Sequence, residues 1–258
     1  MNLEYEANGY FVIKAFFNES ELQELRNVLL EFHASWKNKH FELYSKQAVN
    51  SAYITGTEHL TDSKRDVLFK FIGSRKLMDV VLSVIPTHPC FMNTQLFFNP
   101  ADDRQKNYWH RDPQYHLSIE EQRQALFGPE VVHLRIPLAS EPGLELVPGT
   151  HNRWDTNEEF NVRLEKNNRK NYENISTGVK VDLSPGDLLV FSANMIHRGL
   201  YGMDRFSFDI LFCEPAPSLI EFISDDCLPP QHISSTLENA TAFTNTRELK
   251  KQLGRRAQ

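Results

Sequence analysis

Hydrophobic residues recur at helical intervals in the first third of the chain. A short apolar run at 9–13 predicts a strand, and a helix follows it. Its apolar face comprises Leu22, Leu25, Val28, Leu29, Phe32 and Trp36. Asn18 and Glu21 have the spacing of a capping box at the start of this helix. Two more helices are predicted at 64–73 and 75–85, whereas the polar, mixed stretch 38–63 is interpreted as loops.

From residue 90 onward the apolar residues form short runs separated by turn-forming residues, which is typical of strands. Strands are predicted at 90–99, 131–138, 144–147, 179–183, 187–191 and 205–213. Ser118 and Glu121 open one short helix between the first two strands. The strands follow one another too closely for the crossover helices of a parallel sheet. The pattern therefore predicts a mainly β protein with flanking helices, in which a jelly-roll or cupin-like core carries N-terminal helices.

We interpret the whole chain, 1–258, as a single domain. It divides into a helical flank at 1–89, a jelly-roll core at 90–214 and a C-terminal tail at 215–258. The tail is expected to wrap around the core and to be poorly ordered at its end. Residues 152–178 are rich in Asn and charge, which indicates an excursion over the surface. Whether this excursion forms a lid is left open by the sequence.

Composition narrows the class of protein. The net charge of −6 argues against a general binder of nucleic acid or of anionic membranes, which needs a basic face. The cysteines form no C-x-x-C pair, the N-terminus has no signal-peptide pattern, and the apolar run at 77–85 is too short to span a bilayer. We therefore expect a cytoplasmic protein that binds neither nucleic acid nor a membrane, with its oligomeric state open.

His110, Asp112 and His197 are the candidate metal ligands. On an extended strand, residues two positions apart point to the same face, so His110 and Asp112 can hold one ion together. A tight turn at 184–187 and an apolar strand lead to His197, which then arrives from a remote part of the chain. Two histidines and one carboxylate are the facial ligand set of non-haem iron(II) oxygenases. A chance His-x-Asp is common among ten histidines, so the setting of His197 carries the hypothesis.

Arg205 and Ser207 begin the next strand and share one of its faces. A guanidinium binds a carboxylate through two parallel hydrogen bonds, and a neighbouring hydroxyl adds a third. An acid co-substrate that chelates iron at one end needs such a clamp at the other. The alternative for Arg205 is a surface salt bridge.

Four segments resemble the phytanoyl-CoA dioxygenase family of iron(II)- and 2-oxoglutarate-dependent oxygenases. They are Gly9-Tyr10-Phe11-Val12-Ile13, His110-Arg111-Asp112, the segment from Gly143 to His151, and Pro185-Gly186-Asp187 leading through Phe191 to His197. The resemblance implies a double-stranded β-helix in which His110, Asp112 and His197 bind iron(II). It also implies that Arg205 and Ser207 hold 2-oxoglutarate, that Gln95 and Asn99 contact it, and that O2 is the second co-substrate.

The sequence also departs from the family pattern. The spacing from His197 to Arg205 is shorter than in much of the family, which puts the position of the clamp in question. Gly199 stands where Ser is common, and Glu141-Pro142 replaces the usual Asn-Gly. Asp112 keeps the carboxylate that halogenating relatives lack, so the resemblance implies a hydroxylase.

Four residues near the ligands are candidates for the substrate wall: Trp109, Tyr115, His133 and Arg135. Each has a core-packing or hydrogen-bonding alternative, and His116 and His151 are assigned structural roles. The sequence thus favours a dioxygenase that hydroxylates a C–H bond of a small molecule and releases succinate and CO2. A non-catalytic jelly-roll binding module and a zinc hydrolase remain as alternatives, although a zinc hydrolase has no need of Arg205 and Ser207.

Overall fold

The computed structural model describes residues 2–256, and its strands form two antiparallel sheets on either side of a cavity. The larger sheet has the order β1 (Tyr10–Ile13), β7 (Leu188–Ser192), β4 (Val131–Pro137), β9 (Phe206–Cys213), β3 (Cys90–Phe98) and β2 (Asn50–Ala52). The smaller sheet has the order β6 (Val179–Leu183), β5 (Glu141–Leu146) and β8 (His197–Gly199). Neighbours in each sheet are distant in sequence, as a jelly roll requires.

The helices of the described residues are α1 (Leu3–Asn8), α2 (Glu19–Lys39), α3 (Phe41–Lys46), α4 (Asp62–Ile72), α5 (Arg75–Val84), α6 (Ile119–Ala125), α7 (Asn157–Arg163), α8 (Gln231–Ser234) and α9 (Thr241–Arg256). Buried residues of α2, α4, α5 and α9 form one core with the outer face of the larger sheet. The predicted capping box is present, because Glu21 N donates to Asn18 Oδ1 and Asn18 N donates to Glu21 Oε2. Burying the apolar face of α2 stabilises the helix more than its local propensity does. No helix in the described part of the chain is long and apolar enough to cross a membrane.

Alternation along the strands separates the core from the cavity. On β4, Leu134 and Ile136 join the core beneath the helices, whereas His133 and Arg135 face the cavity. On β9, Phe208 and Ile210 likewise pack into the core. The period of two in each strand thus gives the sheet one apolar face and one face that carries chemistry.

The prediction of loops at 38–63 is wrong in part, because α3 and β2 lie there. The short elements α1 and β8 were also absent from the prediction. Elements of three to six residues depend on partners remote in sequence, such as β3 for β2 and β5 for β8, and their own patterns are too short to reveal them.

The C-terminal tail is helical over much of its length and packs against the larger sheet. Phe243 on α9 is buried with its ring centroid 4.8 Å from that of Phe91, and Thr246 Oγ1 donates to Phe91 O at 2.9 Å. The tail also contributes a 3₁₀ helix, Pro217–Phe222, to the wall of the cavity. The expectation of a poorly ordered end falls partly on residues 257–258, which lie outside the described residues.

Candidate active site

The three candidate ligands lie together where the two sheets meet. His110 and His197 exchange backbone hydrogen bonds of 2.9 Å in each direction, which fixes the two segments side by side. Asp112 N donates to Ala193 O at 3.1 Å, which holds the carboxylate end of the motif. Asp112 Oδ1 is 3.4 Å from His110 Nε2 and 3.6 Å from His197 Nε2. Since two ligands bonded to one ion at a right angle lie about 3 Å apart, only small shifts are needed to bind an ion.

Backbone carbonyls orient both imidazoles. His110 Nδ1 is 3.2 Å from Tyr108 O, and His197 Nδ1 is 3.0 Å from Met195 O. A proton on Nδ1 satisfies each carbonyl and leaves Nε2 unprotonated toward Asp112, which is the tautomer that binds a metal. Burial and the nearby His110 lower the pKa of His197 to about 3, so this imidazole is neutral at physiological pH.

A buried chain of polar groups supports the second oxygen of Asp112. His133 Nε2 lies 2.7 Å from Asp112 Oδ2, and His133 Nδ1 lies 3.2 Å from Asp209 Oδ2. Arg135 Nε donates to Asp209 Oδ1 at 2.7 Å. Burial alone would lower the pKa of His133, but the hydrogen bonds with the two carboxylates raise it to about 9. His133 therefore holds Oδ2 and directs Oδ1 toward the two ligand imidazoles.

Arg205 lies at the inner end of the cavity. It is buried, its Nη1 donates to Phe98 O at 3.0 Å, and its Nε finds no hydrogen-bond partner among the described residues. Its guanidinium carbon lies 5.4 Å from the ring centroid of Phe97 and 5.2 Å from that of Tyr201. Burial and the nearby Arg135 lower the pKa of Arg205 to about 10, so the group stays charged and incompletely hydrogen-bonded at neutral pH.

The glycine at position 199 has a steric explanation. A Cβ added at Gly199 would lie 2.5 Å from Arg205 Nη2, too close for two non-bonded atoms. The short connection between His197 and Arg205 therefore brings the guanidinium against the backbone of β8. The family's serine does not fit here without displacing Arg205.

The ligands and Arg205 share one cavity of about 730 Å³. Of the predicted cofactor and substrate residues, Gln95, Tyr115, His133 and Arg135 line this cavity as well. Pockets of 300–1,000 Å³ enclose drug-sized ligands, so there is room for a co-substrate and a further small molecule.

Three predicted site residues do not line the cavity. Trp109 precedes His110 on an extended segment and so points to the opposite side, where its Nε1 donates to Glu173 O at 2.9 Å. Asn99 ties the end of β3 to a turn, donating to Met203 O and accepting from Gly202 N. Ser207 donates its hydroxyl hydrogen to Glu141 Oε2 and is fully buried. Their polar atoms are already used within the fold.

Arg111 lies between two of the ligands and starts a network that the sequence did not reveal. Its Nε and Nη2 donate to Asp155 Oδ1 at 3.0 and 2.8 Å, and Arg163 donates to Asp155 Oδ2. Asp155 and Arg163 belong to 152–178, all of which is described, and no residue of that segment lines the cavity. In this structure the excursion packs behind the ligands and does not cover the mouth.

Asp209 is the other important residue that sequence reasoning missed. It follows Arg205 and Ser207 at the same spacing of two, so strand alternation was a signal that placed it on their face. Asp155 had no comparable signal, because its partner Arg111 is 44 residues away.

Two facing antiparallel sheets, a two-histidine–one-carboxylate cluster and a buried arginine in one cavity define the class of non-haem iron oxygenases. A family model for phytanoyl-CoA dioxygenase (PhyH) matches residues 5–200. The chain therefore belongs to the phytanoyl-CoA dioxygenase family. This confirms the predicted iron(II)- and 2-oxoglutarate-dependent dioxygenase, with O2 as the second co-substrate. A comparison with curated proteins finds no match.

Solved structures with the same fold confirm the predicted jelly-roll core. AviO1 from Streptomyces viridochromogenes Tue57 is 18% identical, with a TM-score of 0.58 over 83% of this chain and 93% of AviO1. EctD from S. alaskensis, crystallised with 2-oxoglutarate and 5-hydroxyectoine, is 14% identical, with a TM-score of 0.59 over 82% of this chain and 74% of EctD. At these identities the likeness establishes the fold alone.

Proposed function

We propose that this chain hydroxylates a C–H bond of a small molecule at a centre formed by His110, Asp112 and His197. Arg205 binds the far carboxylate of 2-oxoglutarate, and succinate and CO2 are released. The observation that carries the proposal is the convergence of three donor atoms, all within 4.8 Å of one another, on a cavity that also holds an unsatisfied guanidinium. Likeness to EctD, which was crystallised with Fe and with 2-oxoglutarate, supports it.

The residues fit both groups. Two imidazoles and a carboxylate suit iron(II) and would cover one side of the ion. The Nε of Arg205 is a charge-assisted donor without an acceptor in residues 2–256, and a carboxylate supplies one. Arg135 lines the same end of the cavity, and its Nε already donates to Asp209 Oδ1, which leaves Arg205 to meet the carboxylate.

When bound, iron(II) together with 2-oxoglutarate supplies the oxygen chemistry that replaces a C–H bond by C–OH. The residues of the chain orient the metal ligands and exclude water from the cavity. Tyr108 O and Met195 O fix the ligand tautomers, and His133 fixes Asp112. Phe97 and Tyr201 line the cavity beside Arg205, where they limit the space open to water.

The test is succinate formation by metal-free protein supplied with iron(II), ascorbate and 2-oxoglutarate. We expect slow turnover without added substrate in the wild type and none in Asp112→Ala or His197→Ala. Arg205→Met should retain iron binding but bind 2-oxoglutarate about 10- to 150-fold more weakly, because a hydrogen bond to a charged group contributes about 1.5–3 kcal/mol.

His116→Ala is the matched control, since His116 lines the cavity and is not one of the three donors. Its basal turnover should equal that of the wild type. Succinate formation that survives in Asp112→Ala, or equal 2-oxoglutarate affinity in Arg205→Met and wild type, would contradict the proposal. The zinc-hydrolase and non-catalytic alternatives find no support in the family match.

A further inference from the structure

Polarity changes along the cavity in the direction of the strands. Successive cavity-lining residues of β4 are Arg135, His133 and Val131, and Leu211 of β9 lies opposite His133 in the register. The four residue steps from Arg135 to Val131 span about 13 Å along the strand. Over that distance the wall changes from a guanidinium to aliphatic side chains.

The apolar end is completed by two segments outside the sheets. The 3₁₀ helix Pro217–Phe222 contributes Leu219 and Phe222 to the wall, and the other segment contributes Leu117, Ala125 and Pro129. The His116 and Phe222 rings approach to 5.1 Å between centroids, so the two segments touch beside the cavity. We call this region, lined by Leu117, Ala125, Pro129, Val131, Leu211, Leu219 and Phe222, the outer chamber.

The cationic side chains lie at the inner end and beside the candidate ligands, where His133 is held between Asp112 and Asp209. Among the described residues that line the cavity, the lysine and arginine side chains are Arg135 and Arg205 only. The charged side chain on the 3₁₀ helix beside the outer chamber is acidic, Glu221. An anionic group in the outer chamber would lose hydration without gaining a cationic partner, which is unfavourable. The same holds for an ammonium, because Glu221 is exposed and already solvated.

We propose that the substrate of this enzyme is an uncharged, mainly apolar small molecule whose apolar part occupies the outer chamber. Leu219 and Phe222 are its specificity-determining residues, because they come from the segment that closes this chamber. The role of the bound molecule as substrate rests on the proposed function, whereas its binding does not.

The test is direct binding of four probes that share one alkyl chain: decanol, decanoate, decylamine and decanoyl-CoA. Dissociation constants are measured by calorimetry on metal-free protein, with and without excess 2-oxoglutarate, which displaces any decanoate bound at Arg205. With 2-oxoglutarate present we expect decanol to bind at least tenfold more tightly than the other three. Tightest binding of decanoate, decylamine or decanoyl-CoA would overturn the proposal.

Leu219→Lys moves a cation into the outer chamber and should reverse the order of decanol and decanoate. Leu30→Lys makes the same change on the exposed side of α2 and should leave the order unchanged. An unchanged order in Leu219→Lys would also refute the assignment. Because binding needs no turnover, a preserved preference for decanol without succinate formation would refute the proposed function and leave this inference intact.

Discussion

Arg111 and Arg205 are both buried arginines close to the candidate iron site, yet their surroundings differ completely. Arg111 donates five hydrogen bonds, two of them to Asp155 Oδ1 and one each to Thr150 O, Asn194 O and Arg153 O. A guanidinium has five N–H groups, so Arg111 is saturated by the protein. Arg205 has a buried Nε that no described residue accepts from, and it faces the cavity. A buried arginine with unused hydrogen-bond donors therefore indicates a ligand-binding site. A buried arginine whose donors are all used by the protein indicates a structural role.

The largest effect is expected from breaking the saturated network. Asp155→Asn removes the charge that neutralises Arg111 and Arg163, both of which are fully buried. Leaving a buried charge without its partner costs about 3–5 kcal/mol, and the free energy of unfolding from urea denaturation should fall by that amount. The 2-oxoglutarate affinity of the protein that remains folded should be that of the wild type.

Asp182→Asn is the control, because Asp182 pairs with Lys180 on the surface and exposed pairs contribute little. Stability that is unchanged in Asp155→Asn together with a loss of 2-oxoglutarate binding would reverse the comparison. Such a result would show that Arg111 serves 2-oxoglutarate binding and not the stability of the fold.

An intermediate effect is expected from substituting His133, which is hydrogen-bonded within the protein and also lines the cavity. His133→Leu leaves Asp209 paired with Arg135 but frees Asp112 Oδ2. Loss of an outer partner of a metal ligand typically weakens metal affinity about 10- to 100-fold, and we expect that range for iron(II) in a binding titration. His116→Leu removes a cavity imidazole that has no bond to Asp112 and should bind iron(II) as the wild type does. Equal affinities in the two variants would show that Asp112 needs no such support.

The sequence predicted those parts of the site that depend on local spacing. His110 and Asp112 are two residues apart, and strand alternation alone places them on one face. The same rule explains why Trp109 does not line the cavity: adjacent residues of an extended segment face opposite sides, and Trp109 is adjacent to His110. The clearest helix, α2, was predicted from its period and its cap.

The remainder depended on contacts between distant segments. Nothing local to Asp155 indicates that it lies against Arg111, and nothing local to 217–222 indicates that it lines a cavity. The tail was predicted to wrap around the core, but the packing of Phe243 on Phe91 that holds it there joins residues remote in sequence. Such contacts become visible only when the sheets are assembled, since their energy comes from burial and not from local propensity.

The smallest effect is expected from a change that affects only the unsatisfied arginine. Gly199→Ser restores the residue that is common in the family, but its Cβ would overlap Arg205 Nη2. The guanidinium is the far end of a flexible side chain and can move away from the added atom, so the fold should tolerate the change. Its hydrogen bonds to a carboxylate require accurate direction, and we expect 2-oxoglutarate binding to weaken several-fold while iron(II) affinity stays constant.

Calorimetry with 2-oxoglutarate, on Gly199→Ser alone and combined with Arg205→Met, separates this effect from a general disturbance of β8. If Gly199 acts only through Arg205, the double variant should bind 2-oxoglutarate as weakly as Arg205→Met alone. Effects of two substitutions that act through one partner are not additive. Independent losses that add in the double variant would show that Gly199 is required by the strand itself. In that case the short spacing between His197 and Arg205 would not be linked to the glycine, and the position of the clamp would need another explanation.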